Sequence, residues 1–107
     1  MYYKFTSDIT RLGPILTPYV LEIDDYYVRY SKRNRNLINK DRMSIPIDII
    51  SSVDINASLL GTTLIIHGYG TANIEVKRLN IQDAYAIQEI LNNRRIEIIK
   101  EKKIWKI

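Results

Sequence analysis

The sequence predicts a mainly β fold: a bent antiparallel sheet or near-barrel of six to seven short strands, closed by one C-terminal helix. Three observations carry that expectation. From Tyr19 to Lys77 the apolar residues recur mostly at every second position, the spacing of a strand with one face turned inward. Turn-forming residues at Asp24-Asp25, Leu59-Leu60-Gly61 and Gly68-Tyr69-Gly70 punctuate that pattern. The period then changes abruptly at Asn80 to helical spacing. A chain of 107 residues, 46% hydrophobic and 26% charged, is the size of one domain with its own core, which argues against a two-lobed enzyme.

Taken in order, Tyr3 and Phe5 offer a first strand ahead of Gly13-Pro14 and Thr17-Pro18, which interrupt the alternation. Tyr19, Leu21 and Ile23 form the next strand; Asp24-Asp25 supplies a two-residue turn, and Tyr26, Val28 and Tyr30 return along the same face. The polar, asparagine-rich stretch from Lys32 to Asp41 reads as a loop. Met43, Ile45 and Ile47 point inward in the following strand, with Pro46, which lacks an amide donor, at a strand end or sheet edge. The phase breaks at Ile49-Ile50 and recovers at Val53, Ile55 and Ala57, which puts a turn or β-bulge between Asp48 and Ser51. Gly61 is free to take a positive φ before Leu64 and Ile66 face inward. Beyond Gly68-Tyr69-Gly70, Ala72, Ile74 and Val76 face in, opposite Asn73, Glu75 and Lys77.

Asn80 is a favourable N-cap, and Asp83 suits the positive end of a helix. Ala84, Ile87, Ile90 and Leu91 then share one side, so this helix lies on the core. Past Asn92-Asn93, Ile96 and Ile98 stand at strand spacing, whereas Leu91, Ile98 and Trp105 stand seven apart; the longer helix is favoured. The expected organisation is an N-terminal segment over residues 1–18, a domain over 19–93 and a basic apolar extension over 94–107.

The net charge of +4 is concentrated in two segments. Residues 29–42 hold Arg29, Lys32, Arg33, Arg35, Lys40 and Arg42 against Asp41, a balance of +5, and residues 94–107 carry six bases against two acids. The absence of cysteine removes disulfides, thiolate zinc sites and cysteine nucleophiles, and fits a reducing compartment, so a cytoplasmic location is expected. No run of about 18 apolar residues suggests a transmembrane segment, and Met1 to Thr6 lack the apolar stretch of a secretory signal.

One stretch is more particular. Met43-Ser44-Ile45-Pro46-Ile47-Asp48-Ile49-Ile50-Ser51-Ser52-Val53-Asp54-Ile55, followed by Ser58-Leu59-Leu60-Gly61-Thr62-Thr63-Leu64-Ile65-Ile66, resembles the bacterial pleckstrin-homology-like domains. These often read Ser-Ile-Pro, then Ile-x-Ser-Val, then a Leu-Gly-Thr step into the next strand. The resemblance covers about residues 19–93 and includes the Asp83-Ala84 pair early in the closing helix. It implies a strongly bent antiparallel sheet, near-barrel, capped by a C-terminal helix, and supplies a shape rather than a mechanism. In eukaryotic pleckstrin-homology domains the inositol phosphate lies near a basic loop between the first two strands, whereas the basic segment here falls later, so those lipid-binding residues do not map.

Catalytic constellations are not evident. His67, the one histidine, has no orienting carboxylate or second metal ligand within a recognisable motif, and reads as a surface or helix-covered side chain. Asp24 and Asp25 are adjacent in a turn and point apart; Gly68-Tyr69-Gly70 lacks the Lys-Ser/Thr and following helix of a P-loop; Ser51-Ser52 lacks a nucleophile-elbow context. No enzyme activity and no cofactor are therefore expected. The basic segment, Arg29, Lys32, Arg33, Arg35, Lys40 and Arg42 flanked by Tyr26, Tyr27 and Tyr30, is either a solvated surface or an anion-binding site for a lipid headgroup or nucleic acid. In the extension, Ile98, Ile99, Ile104 and Trp105 are candidates for self-association, with packing on the chain's own core or on an anionic membrane surface as alternatives. The expected function is a non-enzymatic binding or scaffold module, acting on a protein partner or a second copy, with the anionic ligand as the alternative.

Overall fold

The computed structural model describes residues 1–6, 19–33, 40–59 and 61–105, with residues 33, 40, 41 and 103–105 described in backbone only. Period-two alternation builds β1 (Tyr3–Thr6), β2 (Tyr19–Ile23), β3 (Tyr27–Arg33) and β4 (Lys40–Pro46), which form one antiparallel sheet in chain order. A second antiparallel sheet holds β5 (Ile50–Ser58), β6 (Gly61–Gly68) and β7 (Ile74–Leu79), also in chain order, and α1 (Ile81–Trp105) follows. The chain is thus mainly β, as expected, with β1 as the extra N-terminal strand. No ladder joins the two sheets among the described residues, so they form an open pair and no closed barrel.

Leu21, Ile23, Val28 and Ile45 of the first sheet, Val53, Leu64, Ile66, Ile74 and Val76 of the second, and Ile87 and Leu91 of α1 meet in one core, with Met43 and Ile55 packed at its margin. The break in phase after Ile47 is a single 3-10 turn, Ile47–Ile49, followed by a bulge that leaves Ser51 unopposed between the Ile50↔Gly68 and Ser52↔His67 pairs. That turn is held from both sides: the Ile47 amide donates to the Tyr26 carbonyl at 2.8 Å, and the Tyr69 amide to the Ile49 carbonyl at 2.9 Å. Gly61 takes a φ of +127° at the β5–β6 turn and Gly70 one of +68° after β6. The Asn80 side chain accepts from the Gln82 amide at 2.8 Å, the expected cap.

Four expectations are corrected. The stretch from Lys32 to Asp41 is not all loop: β3 runs through Arg33 and β4 starts at Lys40, because a main-chain ladder pairs whatever the side chains and an outer face accepts charge. The connection after Ile23 exceeds two residues, since Ile23 pairs with Val28; Asp24 Oδ1 accepts the Tyr26 and Tyr27 amides at 2.9 and 2.8 Å, and Tyr26 is left exposed in the turn. Ala72 is exposed because β7 begins only at Ile74. Finally, Ile98 is not a free tail residue: α1 continues unbroken past Asn93 and lays Ile98 in the chain's own core at 4% exposure.

The edge of β5 is covered without another strand. Gln88 Nε2 donates to the Val53 carbonyl at 2.9 Å, and Arg95 donates to the Ile50 and Ser51 carbonyls, each at 3.1 Å. Side chains of α1 thus satisfy backbone acceptors that an open edge would offer to another chain. Further along, Arg94 is largely buried: it donates to the Asp25 carbonyl at 2.6 Å, pairs with Glu97 and Glu101, and lies 5.4 Å from the centre of the Tyr26 ring. Burial opposes its charge, but the hydrogen bonds and charges of Glu97 and Glu101 prevail, so its pKa is raised.

Candidate functional site

Pairing across the first sheet assembles a charged outer face. Lys4 lies opposite Glu22, Glu22 opposite Arg29 and Arg29 opposite Ser44, one row spanning all four strands. The neighbouring row runs Thr6, Val20, Ser31, Arg42. These rows bound an open hollow of about 590 Å³ whose lining includes Lys4, Glu22, Arg29, Ser31, Arg42 and Ser44. Because strand side chains alternate, the row between them, Phe5, Leu21, Tyr30 and Met43, packs on the core, with Leu21 fully buried.

The charges on this face are unequally engaged. Arg29 pairs with Asp24 at 2.7 Å, and the Tyr2 hydroxyl donates to Glu22. That hydrogen bond, with smaller contributions from burial and the Glu22 charge and against the opposing charge of Arg29, holds the Tyr2 phenol above its usual pKa. For Asp24, burial favours the neutral acid, yet the Tyr26 and Tyr27 amides and the Arg29 charge outweigh it and hold the carboxyl below its usual range. Lys4 and Arg42 form no ion pair among the described residues. Among the described residues the hollow therefore carries three cations and one carboxylate, and two of the cations have no ion-pair partner there.

Of the six basic residues singled out from sequence, Arg29 and Arg42 come together here. Lys32 is paired in register with Asp41 and is not among the described residues that line the hollow. Arg33 and Lys40 face each other at the end of the β3–β4 ladder, with their side chains outside the described set, and Arg35 lies outside the described residues altogether. Lys4 and Glu22 were missed. The alternation of Tyr3 and Phe5 already placed Lys4 on the outer side of a strand, but its row partners depend on pairing that the sequence does not state.

A second hollow, about 430 Å³, lies between the β2–β3 turn, the 3-10 turn and the last turns of α1, lined by Tyr26, Tyr27, Pro46, Asp48, Ile98, Glu101 and Lys102. Lys102 pairs with Asp48, and Glu101 with Arg94, so its charges are matched internally. On the second sheet, His67 Nε2 lies 2.9 Å from Asp54 Oδ2, an orienting carboxylate that the sequence reading did not find. Register explains the pair: Asp54 is opposite Ile65 and Ser52 opposite His67, so Asp54 and His67 are diagonal neighbours on the outer face. Ser51 Oγ donates to the His67 carbonyl at 3.2 Å, which binds that hydroxyl to the backbone.

Ile99 is exposed on α1, while the side chains of Ile104 and Trp105 lie outside the described residues. Among the described residues no group of three or more His, Asp or Glu side chains is placed to hold a metal ion, and no helix is long and apolar enough to cross a membrane. Set beside known protein families, curated proteins and solved structures, the chain matches none of them.

Proposed function

We propose that this chain is a non-enzymatic, pleckstrin-homology-like binding module, and that the outer face of its first sheet takes an anionic, phosphate-bearing group. The observation that carries the reading is the convergence of Lys4, Arg29 and Arg42 on one hollow of about 590 Å³, with Lys4 and Arg42 unpaired among the described residues. The sheet order, four strands then three then a helix, supports the family reading, together with Ser44-Ile45-Pro46 and Leu60-Gly61-Thr62. A cytoplasmic location accords with the lack of cysteine.

A compact headgroup fits better than a single nucleic-acid strand. Bases need exposed aromatic platforms beside the cations. Here Tyr26 and Tyr27 line the other hollow, and Tyr30, which borders this one, is half-buried against the core rather than free to stack on a base. Binding is expected to weaken steeply with salt, since solvent-exposed charges supply it. Flotation with anionic vesicles at low ionic strength tests it: Lys4→Gln and Arg42→Gln each weaken binding about fivefold, the loss of roughly 1 kcal/mol per cation near a membrane surface, with thermal stability unchanged. Binding to a single-stranded oligonucleotide but not to vesicles would transfer the face to nucleic acid. Binding to neither would overturn it.

A further inference from the structure

Resting on the reading of the first sheet's outer face as a phosphate site, we infer that Glu22 makes that face selective for the phosphoserine headgroup of a lipid. Such a headgroup carries a phosphodiester, then an ammonium, then a carboxylate. A carboxylate in the middle of a hollow that takes anions works against phosphate, so its place there points to a ligand that also brings a cation. Glu22 stands opposite Lys4 on one side and Arg29 on the other, yet it forms no ion pair among the described residues. The hydrogen bond it accepts from Tyr2 comes from a neutral hydroxyl and engages one of its two oxygens. The negative charge and further acceptor capacity therefore remain.

Arg29 is already engaged, held at 2.7 Å by Asp24, which is not among the described residues lining the hollow. The charge left for a ligand alternates in sign across the sheet: Lys4 on β1, Glu22 on β2 and Arg42 on β4. A ligand that answers it carries charge in the order anion, cation, anion. The phosphoserine headgroup has that order. Its phosphodiester meets Arg42, with the Ser31 and Ser44 hydroxyls in the same hollow as donors, its ammonium meets Glu22, and its carboxylate meets Lys4. β1 and β4 are three strand spacings apart, about 14 Å, and the long side chains of Lys4 and Arg42 shorten that span from both ends.

Other phosphate carriers match less of the face. A phosphoglycerol headgroup has the same net charge but sets no cation against Glu22. A phosphoethanolamine headgroup supplies the cation but no anion for Lys4. A phosphoserine inside a peptide has its nitrogen in an amide and brings no ammonium at all. Unpaired and like charges against the wrong ligand are what give a polar site its discrimination.

Flotation compares phosphatidylcholine vesicles that carry equal mole fractions of phosphatidylserine or of phosphatidylglycerol. The unaltered chain should favour phosphatidylserine by about fivefold, the scale of one charge contact at a surface. Glu22→Gln keeps an acceptor for the Tyr2 hydroxyl, and its thermal melt should be unchanged. It should nonetheless erase the preference, with binding to phosphatidylglycerol strengthened. Soluble glycerophosphoserine should displace the chain from phosphatidylserine vesicles better than glycerophosphoglycerol does. Equal binding of the unaltered chain to the two vesicles overturns the inference, and so does a preference that survives Glu22→Gln or tighter binding to a phosphoserine peptide than to phosphatidylserine. Equal binding to both vesicles leaves the anionic face standing, whereas binding to neither removes the face itself, so the two failures are told apart.

Discussion

Asp24 ties the architecture to the charged face, and its replacement separates the two roles. Its Oδ1 accepts the Tyr26 and Tyr27 amides at 2.9 and 2.8 Å, and its Oδ2 holds Arg29 at 2.7 Å. Asp24→Ala removes all three contacts. The freed amides sit in an exposed turn where water can reach them, so their loss resembles that of a capping side chain, about 1–2 kcal/mol. The ion pair is partly exposed on both sides and adds at most about 1 kcal/mol. Asp24→Asn keeps an acceptor oxygen for the amides and loses the ion pair alone, so its cost is below about 1 kcal/mol. Urea unfolding at neutral pH should rank the unaltered chain above Asp24→Asn, and Asp24→Asn above Asp24→Ala. The pH dependence follows from linkage. The folded carboxyl lies below its ordinary 3.8, so its contribution is fully present above that value and fades as pH falls through the folded pKa. The gap between the unaltered chain and Asp24→Asn should therefore close on acidification. Asp24→Asn also releases Arg29 from its internal partner and should strengthen vesicle binding. Equal destabilisation by the two variants at neutral pH, or a gap that does not vary with pH, would refute the assignment of the amide contacts and the ion pair to separate oxygens.

The remaining expectations concern the core and one strained position. Ile66→Ala and Leu91→Ala each delete fully buried atoms where the second sheet meets α1, and each should cost about 2–5 kcal/mol by thermal or chemical denaturation; an unchanged melting temperature for both would mean that helix and sheet do not share a core. Arg78 has a φ of +60° at the β7 bulge, where two residues oppose Thr63 alone. Arg78→Gly should be neutral or stabilise by up to about 1 kcal/mol. Gly61→Ala should destabilise, since a Cβ there meets Arg78 Cα at 3.2 Å and the backbone φ is +127°. The opposite order in a denaturant titration would place the strain elsewhere.

Local chemistry alone determined much of this molecule. Strand positions from Tyr19 to Val76 were legible because each strand has one wet and one dry face, and burial of Leu21, Ile45, Leu64 and Val76 enforces that alternation. The irregularities were legible too: Gly61 was free to take the positive φ it adopts, Asn80 could cap α1, and the lost phase after Ile47 called for a turn or a bulge, of which the chain has both. The continuation of the helix past Asn93 followed from Leu91 and Ile98 standing seven residues apart. Contacts between strands distant in sequence were decided only by the tertiary structure. A strand's pattern says which residues face outward but not which outward residues on another strand stand beside them, so the row Lys4, Glu22, Arg29, Ser44 and the pairing of His67 with Asp54 had no signal in the linear chain. The same limit split the basic segment, because pairing of β3 with β4 gave Arg29 and Arg42 to the outer hollow and left Lys32 out of its described lining. It likewise drew Ile98 into the core while leaving Ile96 and Ile99 in water, since a helix of fixed period can turn only one side to the sheets it packs against.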